Sequence, residues 1–148
     1  MERRMKLEWT GAGHQALPVI WESVSRFIQE ALEHHGFQHI DMFFYWDRIA
    51  REEMQLWVLF DVDGIQGVLL TELNEFAGEK ICNIPICGGG NIGDWSEFLT
   101  EVIEPWCKEQ KVDRIEFRVR RAAQKILSRH DYYVSDITLT KRLNRREH

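Results

Sequence analysis

"KICNIPICGGGNIGDWSEFL", residues 80–99, holds the decision about the fold. An apolar, strand-like run over 80–87 breaks at a cluster of glycines. A helix-like stretch then starts at Asp94, with Glu97 three residues on as in a capping box. Gly88, Gly90 and Gly93 spell GxGxxG, so the first question is whether the turn cradles phosphates. Pro85 cannot donate to a ladder, which predicts that this strand splays from a neighbour, or lies at an edge, near residue 85.

Downstream, the helix runs to about residue 110, with Trp95, Phe98, Leu99, Val102, Ile103 and Trp106 on its apolar side and Pro105 predicting a kink. "DRIEFRV" (113–119) reads as a strand, "RRAAQKILSRH" (120–130) as a short basic helix, and "YYVSDITLTKRL" (132–143) as one or two closing strands. Upstream, "MKLEW" (5–9) alternates like a strand. A helix is expected from Pro18 to Gly36, striped by Ile20, Val24, Phe27, Ile28, Ala31 and Leu32. A shorter helix is expected over 41–54 with Asp41 as N-cap, although its aromatics would also suit a strand. Two apolar runs around Asp61-Val62-Asp63-Gly64 predict a β-hairpin. The order is β-α-α-β-β-β-α-β-α-β, an α/β mixed sheet in one domain over 1–148. Its first half is antiparallel, one βαβ crossover surrounds the glycine loop, and a basic tail covers 141–148.

A dinucleotide fingerprint fits the outline of strand, turn and helix, and Glu116 stands at a suitable distance for a ribose. The end of the second strand carries Arg118 and Arg120 instead of an acid, and too few βα units follow for a doubly wound sheet. No GK[ST] follows the glycines, which removes the P-loop.

The element order, the hairpin, the glycine turn and the closing "ITLTKRL" together resemble the GNAT superfamily of N-acyltransferases over nearly the whole chain. The nearest resemblance is to the GNAT-like proteins of tailed phages. They share a Trp near the start of the helix after the glycine turn, a basic short helix and a final strand ending in Lys. The resemblance implies an acyl-CoA pyrophosphate loop at Ile86, Cys87, Gly88, Gly89, Gly90, Asn91, Ile92 and Gly93, with backbone N–H groups at a helix N-terminus attracting the anion. The family pattern Gln/Arg-x-x-Gly-x-Gly/Ala is met incompletely. Its small final residue falls on Trp95 in one register and on Ile92 in the other, and Asp94, read as the N-cap, takes amides and repels phosphate. The family's tyrosine acid falls on Leu127 in "AQKILSRHDYY", with Tyr132 or Tyr133 as neighbouring phenols. A general base would be Glu72, Glu79 or His39.

Charge is uneven. Residues 114–148 hold ten Lys/Arg against four Asp/Glu, a net of +6 within a chain of −5, which leaves −11 on residues 1–113. A basic end on an acidic body suits an anionic ligand or pairing of copies, and six Trp with eight Phe suit an interface. The chain's overall acidity disfavours nucleic acid. No run approaches the roughly 20 apolar residues of a membrane span, and "MERRMKLEWTGAG" lacks a signal-peptide core. Cys82, Cys87 and Cys107 lack CxxC spacing and read as reduced thiols in a cytoplasmic setting, of the host or a virion. A metal held by Cys82 and Cys87 with a His, or a catalytic thiol, remains open.

The sequence therefore leans to a GNAT-fold protein of phage or prophage type with a degenerate acyl-CoA site. It is expected to have no cofactor, metal or catalytic residue, and to act through protein partners or self-association in virion assembly. The alternative is a small N-acetyltransferase using acetyl-CoA or another acyl-CoA.

Overall fold

The computed structural model describes residues 6–9 and 13–143, with side chains from residue 16 onward except that of Ile92. Strand β1 (Lys6–Trp9) is followed by helices α1 (Gly13–His34) and α2 (Met42–Ala50). Strands β2 (Gln55–Asp61), β3 (Gly64–Phe76) and β4 (Glu79–Gly89) come next. Helix α3 (Ile92–Phe98) continues through a π turn (Leu99–Ile103) into α4 (Glu104–Glu109), and β5 (Arg114–Phe117) and α5 (Arg121–Ser128) follow. The sheet order is β1-β2-β3-β4-β5, antiparallel as far as β4 and parallel between β4 and β5. The mixed sheet with one crossover at the glycine turn is the architecture expected from the sequence.

Each face of the sheet carries its own core. In β2 and β3 the even residues Leu56, Val58, Val68 and Leu70 meet Leu17, Val24, Ile28 and Leu32 of α1 and Ile49 of α2. The odd residues Trp57, Leu59 and Leu69 meet Trp95, Leu99, Ile103 and Cys107 on the other face, together with Leu127 of α5. This is the period-two alternation of a sheet covered on both sides. In β4 the parity changes. Cys82 and Ile84 belong to the second core and Ile86 to the first. The ladder to β3 shows why: Leu70 pairs with Ile86 but Glu72 pairs with Asn83, so β4 carries one extra residue there, a β-bulge next to Pro85.

The local chemistry explains the elements and their limits. The Asp61 carboxylate accepts from the Asp63 N–H at 2.8 Å and from the Gln66 amide at 3.1 Å, closing the β2–β3 turn. Asp41 caps α2 as expected, accepting from the Phe43 N–H at 3.0 Å. Helix α1 starts before Pro18, which lies inside it, and stops where Gly36 takes a φ of +86°. Pro105 is accommodated by the π turn ahead of it, in which the Glu104 N–H reaches back to the Leu99 carbonyl.

Two expectations are corrected. The helix after the glycines starts at Ile92, and its N-cap is Asn91, not Asp94: the Asn91 Oδ1 accepts from the Asp94 N–H at 2.9 Å, and the Asn91 carbonyl accepts from Trp95. The closing strands are absent among the described residues, because 132–143 pairs with no strand. Alternation gives the segment strand character, yet a strand needs a ladder partner, and this segment runs along the cleft to the end of α1, where Arg142 donates to the Gly36 carbonyl.

Candidate functional site

Beside the bulge the sheet opens. β4 and β5 pair from Ile81↔Arg114 to Ile84↔Phe117, and the last contact is the Arg118 N–H donating to the Ile84 carbonyl at 3.2 Å. Past Pro85 the two strands separate, near the position expected from the sequence; the Lys80 and Ile84 carbonyls both face β5, so the missing Pro85 N–H lies on the β3 side, at the bulge. A cleft of about 1450 Å³ lies along this splay. It is bordered by Asn83, Ile84 and Pro85 of β4, by Phe117 to Arg121, by His35 at the end of α1 and by Glu72 of β3.

The eight residues expected at a phosphate loop divide by role. Ile86 lies in the core under α1, and Cys87 is half-buried. A Cβ on Gly88 would stand 2.5 Å from the Phe27 carbonyl oxygen, so this glycine lets the α1 backbone lie directly on β4. Gly89 has a φ of +74° with the Gln66 oxygen 2.4 Å from where a Cβ would be, and Gly90, at +61°, abuts Leu59 and Trp95. The Gly90 N–H donates to the Gln66 carbonyl at 3.0 Å, and the Gly89 carbonyl accepts from the Trp95 indole at 2.8 Å. Three glycines thus serve helix-to-sheet packing. Asn91 caps the helix, the side chain of Ile92 lies outside the described residues, and Gly93 is exposed in the first helical turn, where N–H groups have no intrahelical acceptor. Trp95, 2% exposed, fills the core beneath the turn and does not obstruct a phosphate. Asp94 remains in the first turn as an opposing charge.

The other candidates sort as clearly. Leu127 is buried. The Tyr132 hydroxyl is buried without a hydrogen-bond partner, and burial, then Glu104 and the cysteines, hold its pKa above the ordinary phenol value. Glu72 and Glu79 border the cleft, the first paired with Arg48 at 3.5 Å and the second with Arg114 at 3.8 Å, whereas His39 does not border it. Burial pushes the Cys87 thiol up to about 12, so no thiolate forms there near neutrality. Cys82, buried and hydrogen-bonded to Cys107, is also held well above the thiol range. Among the described residues no three His, Cys, Asp or Glu side chains gather as a metal site.

Sequence reasoning missed His35. Burial lowers its pKa first, and the guanidinium groups of Arg118 and Arg120 lower it further. A neutral imidazole bordering the cleft is able to accept a proton. No spacing signals it, since it comes from the end of α1 and its perturbing charges from the end of β5.

No protein-family model matches the chain, and no curated protein matches it in sequence. Solved structures do match in shape. A predicted acetyltransferase from Clostridium acetobutylicum, solved with acetyl-CoA, superposes with a TM-score of 0.66 at 12% identity, covering 95% of this chain and 97% of its own. A GCN5-related N-acetyltransferase from Ralstonia eutropha gives 0.66 at 11% identity, covering 95% and 99%. The chain has the GNAT fold. An aminoglycoside acetyltransferase from an uncultured soil metagenomic sample, in complex with sisomicin, gives 0.63 at 12% identity, covering 97% of each chain. None of these three is described as a phage protein. At such identities the GNAT likeness carries architecture, and function rests on the residues of this site.

Proposed function

We infer that the chain is an acyl-CoA-dependent N-acyltransferase acting at the β4–β5 splay. One observation carries the reading: at Pro85, where β4 bulges against β3, the β4–β5 ladder ends and a cleft bordered by a proton acceptor, His35, lies along the splay. On the cofactor side, the exposed first turn of α3 at Gly93 offers amides to a pyrophosphate. The chain from Pro85 to Gly89 spans roughly 13 Å between cleft and turn. Bound there, acyl-CoA would supply an activated acyl group. His35, neutral near pH 7, takes the proton of the acceptor amine, with Glu72 as the second basic group at the cleft. Asp94 weakens the pyrophosphate contact, and Leu127 leaves no phenol at the family's acid position, so affinity and turnover are modest.

Calorimetry with acetyl-CoA tests this. The expected outcome is saturable binding that Gly93→Leu abolishes. No heat at millimolar acetyl-CoA, with the fold intact, sinks it.

A second reading, a GNAT-fold assembly component of phage or prophage type without acyl transfer, is favoured by the outward apolar residues of the C-terminal segment. Ile137, Leu139 and Leu143 are 76%, 91% and 83% exposed.

A further inference from the structure

We propose that the cleft binds a small amine bearing an anionic group, phosphoryl or carboxyl, as the acceptor. The assignment of this ligand as acceptor rests on the acyltransferase reading, whereas the anion site itself stands on the charges and shape of the cleft.

The charges come first. Arg118, Arg120 and Arg121 all border the cleft, and among the described residues no carboxylate lies within ion-pair distance of any of them. Three of the cleft's four acids are engaged elsewhere: Glu79 and Glu116 face Arg114 at 3.8 and 3.3 Å, and Glu72 faces Arg48 at 3.5 Å. Three arginines within four residues therefore border the cleft with no ion-pair partner among the described residues. Both Arg118 and Arg120 lie near His35, where, after burial, their charge lowers the imidazole's pKa. Guanidinium forks match the paired oxygens of phosphoryl and carboxyl groups.

The second observation is the orientation of the C-terminal segment. From residue 136 onward it alternates strictly: Asp136, Thr138, Thr140 and Arg142 border the cleft, while Ile137 and Leu139 face solvent. The Arg142 guanidinium donates to the Gly36 carbonyl and ties the segment across the opening to the end of α1. A wall that turns hydroxyls and a guanidinium inward and aliphatic side chains outward matches polar contents, because an apolar occupant would favour the opposite face. Asp136 is the one opposing charge on this wall, and its Oδ1 accepts from the Ile137 N–H at 3.0 Å.

The test compares O-phosphoethanolamine with ethanolamine by calorimetry on the full chain, without acetyl-CoA. The phosphorylated amine is expected to bind at least about tenfold more tightly, with an affinity that falls as salt rises. Arg118→Gln with Arg120→Gln, both exposed positions, should erase the preference while circular dichroism stays unchanged. Asp136→Asn should tighten binding of inorganic phosphate, and supplies a second readout if the arginine variant misfolds. Equal affinity for the two amines overturns the proposal, as does phosphate binding that Asp136→Asn leaves unchanged or weakens. Competitive displacement of O-phosphoethanolamine by acetyl-CoA also overturns it, because the arginines would then hold the cofactor. Selective binding of the phosphorylated amine by a chain that ignores acetyl-CoA would refute the acyltransferase reading and leave the anion site standing.

Discussion

Gly88 and Gly93 belong to one short motif and do different work. A methyl group at Gly88 meets the backbone oxygen of Phe27, which moves only if α1 moves. Gly88→Ala is therefore expected to cost roughly 1–3 kcal/mol or more. At Gly93 a methyl group meets only the side chain of Asn91, at 3.0 Å, and alanine favours the helix. Gly93→Ala should be near neutral, and urea denaturation of the two variants reads the contrast. His35 carries a pH dependence. Its folded pKa lies below the ordinary 6.5, so the unfolded chain binds the proton more readily. The stability linked to its neutral form is present above pH 6.5 and is lost as pH falls through the lowered folded value. His35→Gln should flatten that part of the stability-versus-pH curve measured by thermal melts. Neither residue's role is visible in its neighbours in sequence, because the partners, Phe27 and Arg118, come from distant positions.

Among the elements, the α3–α4 rod shows how competing local signals resolve. Asn91 and Asp94 are both good N-cap types three residues apart, and the sequence favours Asp94 through its spacing to Glu97. The fold selects Asn91, because burying the Trp95 ring with its indole on the Gly89 carbonyl brings the helix start close to the end of β4. Asn91→Ala should cost about 1 kcal/mol, measurable as a lowered denaturation midpoint. An Asp94→Ala variant should keep the cap hydrogen bond, since only the backbone of Asp94 takes part in it. Pro85 was legible because its defect is intrinsic: no N–H means no ladder bond. The bulge beside it, which reverses the facing of Ile86, was not legible, since β4's apolar run is compatible with either parity.

For the whole molecule, the exposed apolar face of the C-terminal segment bears on association. If copies pair through it, light scattering at rising concentration should show dimer formation, and Ile137→Ser with Leu139→Ser should return the protein to monomer. A strict monomer at high concentration would remove the assembly reading unless other components are required. The same segment marks where the strand expectation failed. Alternation predicted a closing strand, but the segment instead borders the cleft and is tied by Arg142 to the Gly36 carbonyl at the end of α1, so it makes no ladder with β5.

By itself the sequence determined the order of elements as far as α5, the β2–β3 hairpin, the α1 stripe, the break at Pro85 and the place of the glycine turn. All of these follow from local chemistry: period, turn residues and a missing donor. Only the tertiary structure decided that three glycines serve the approach of α1 and Trp95 to the sheet. It alone brought His35, Glu72, Arg118 and Arg120 around one cleft and turned residues 136–142 with their polar side inward. Those facts depend on distances between residues far apart in the chain, and no local pattern encodes such distances.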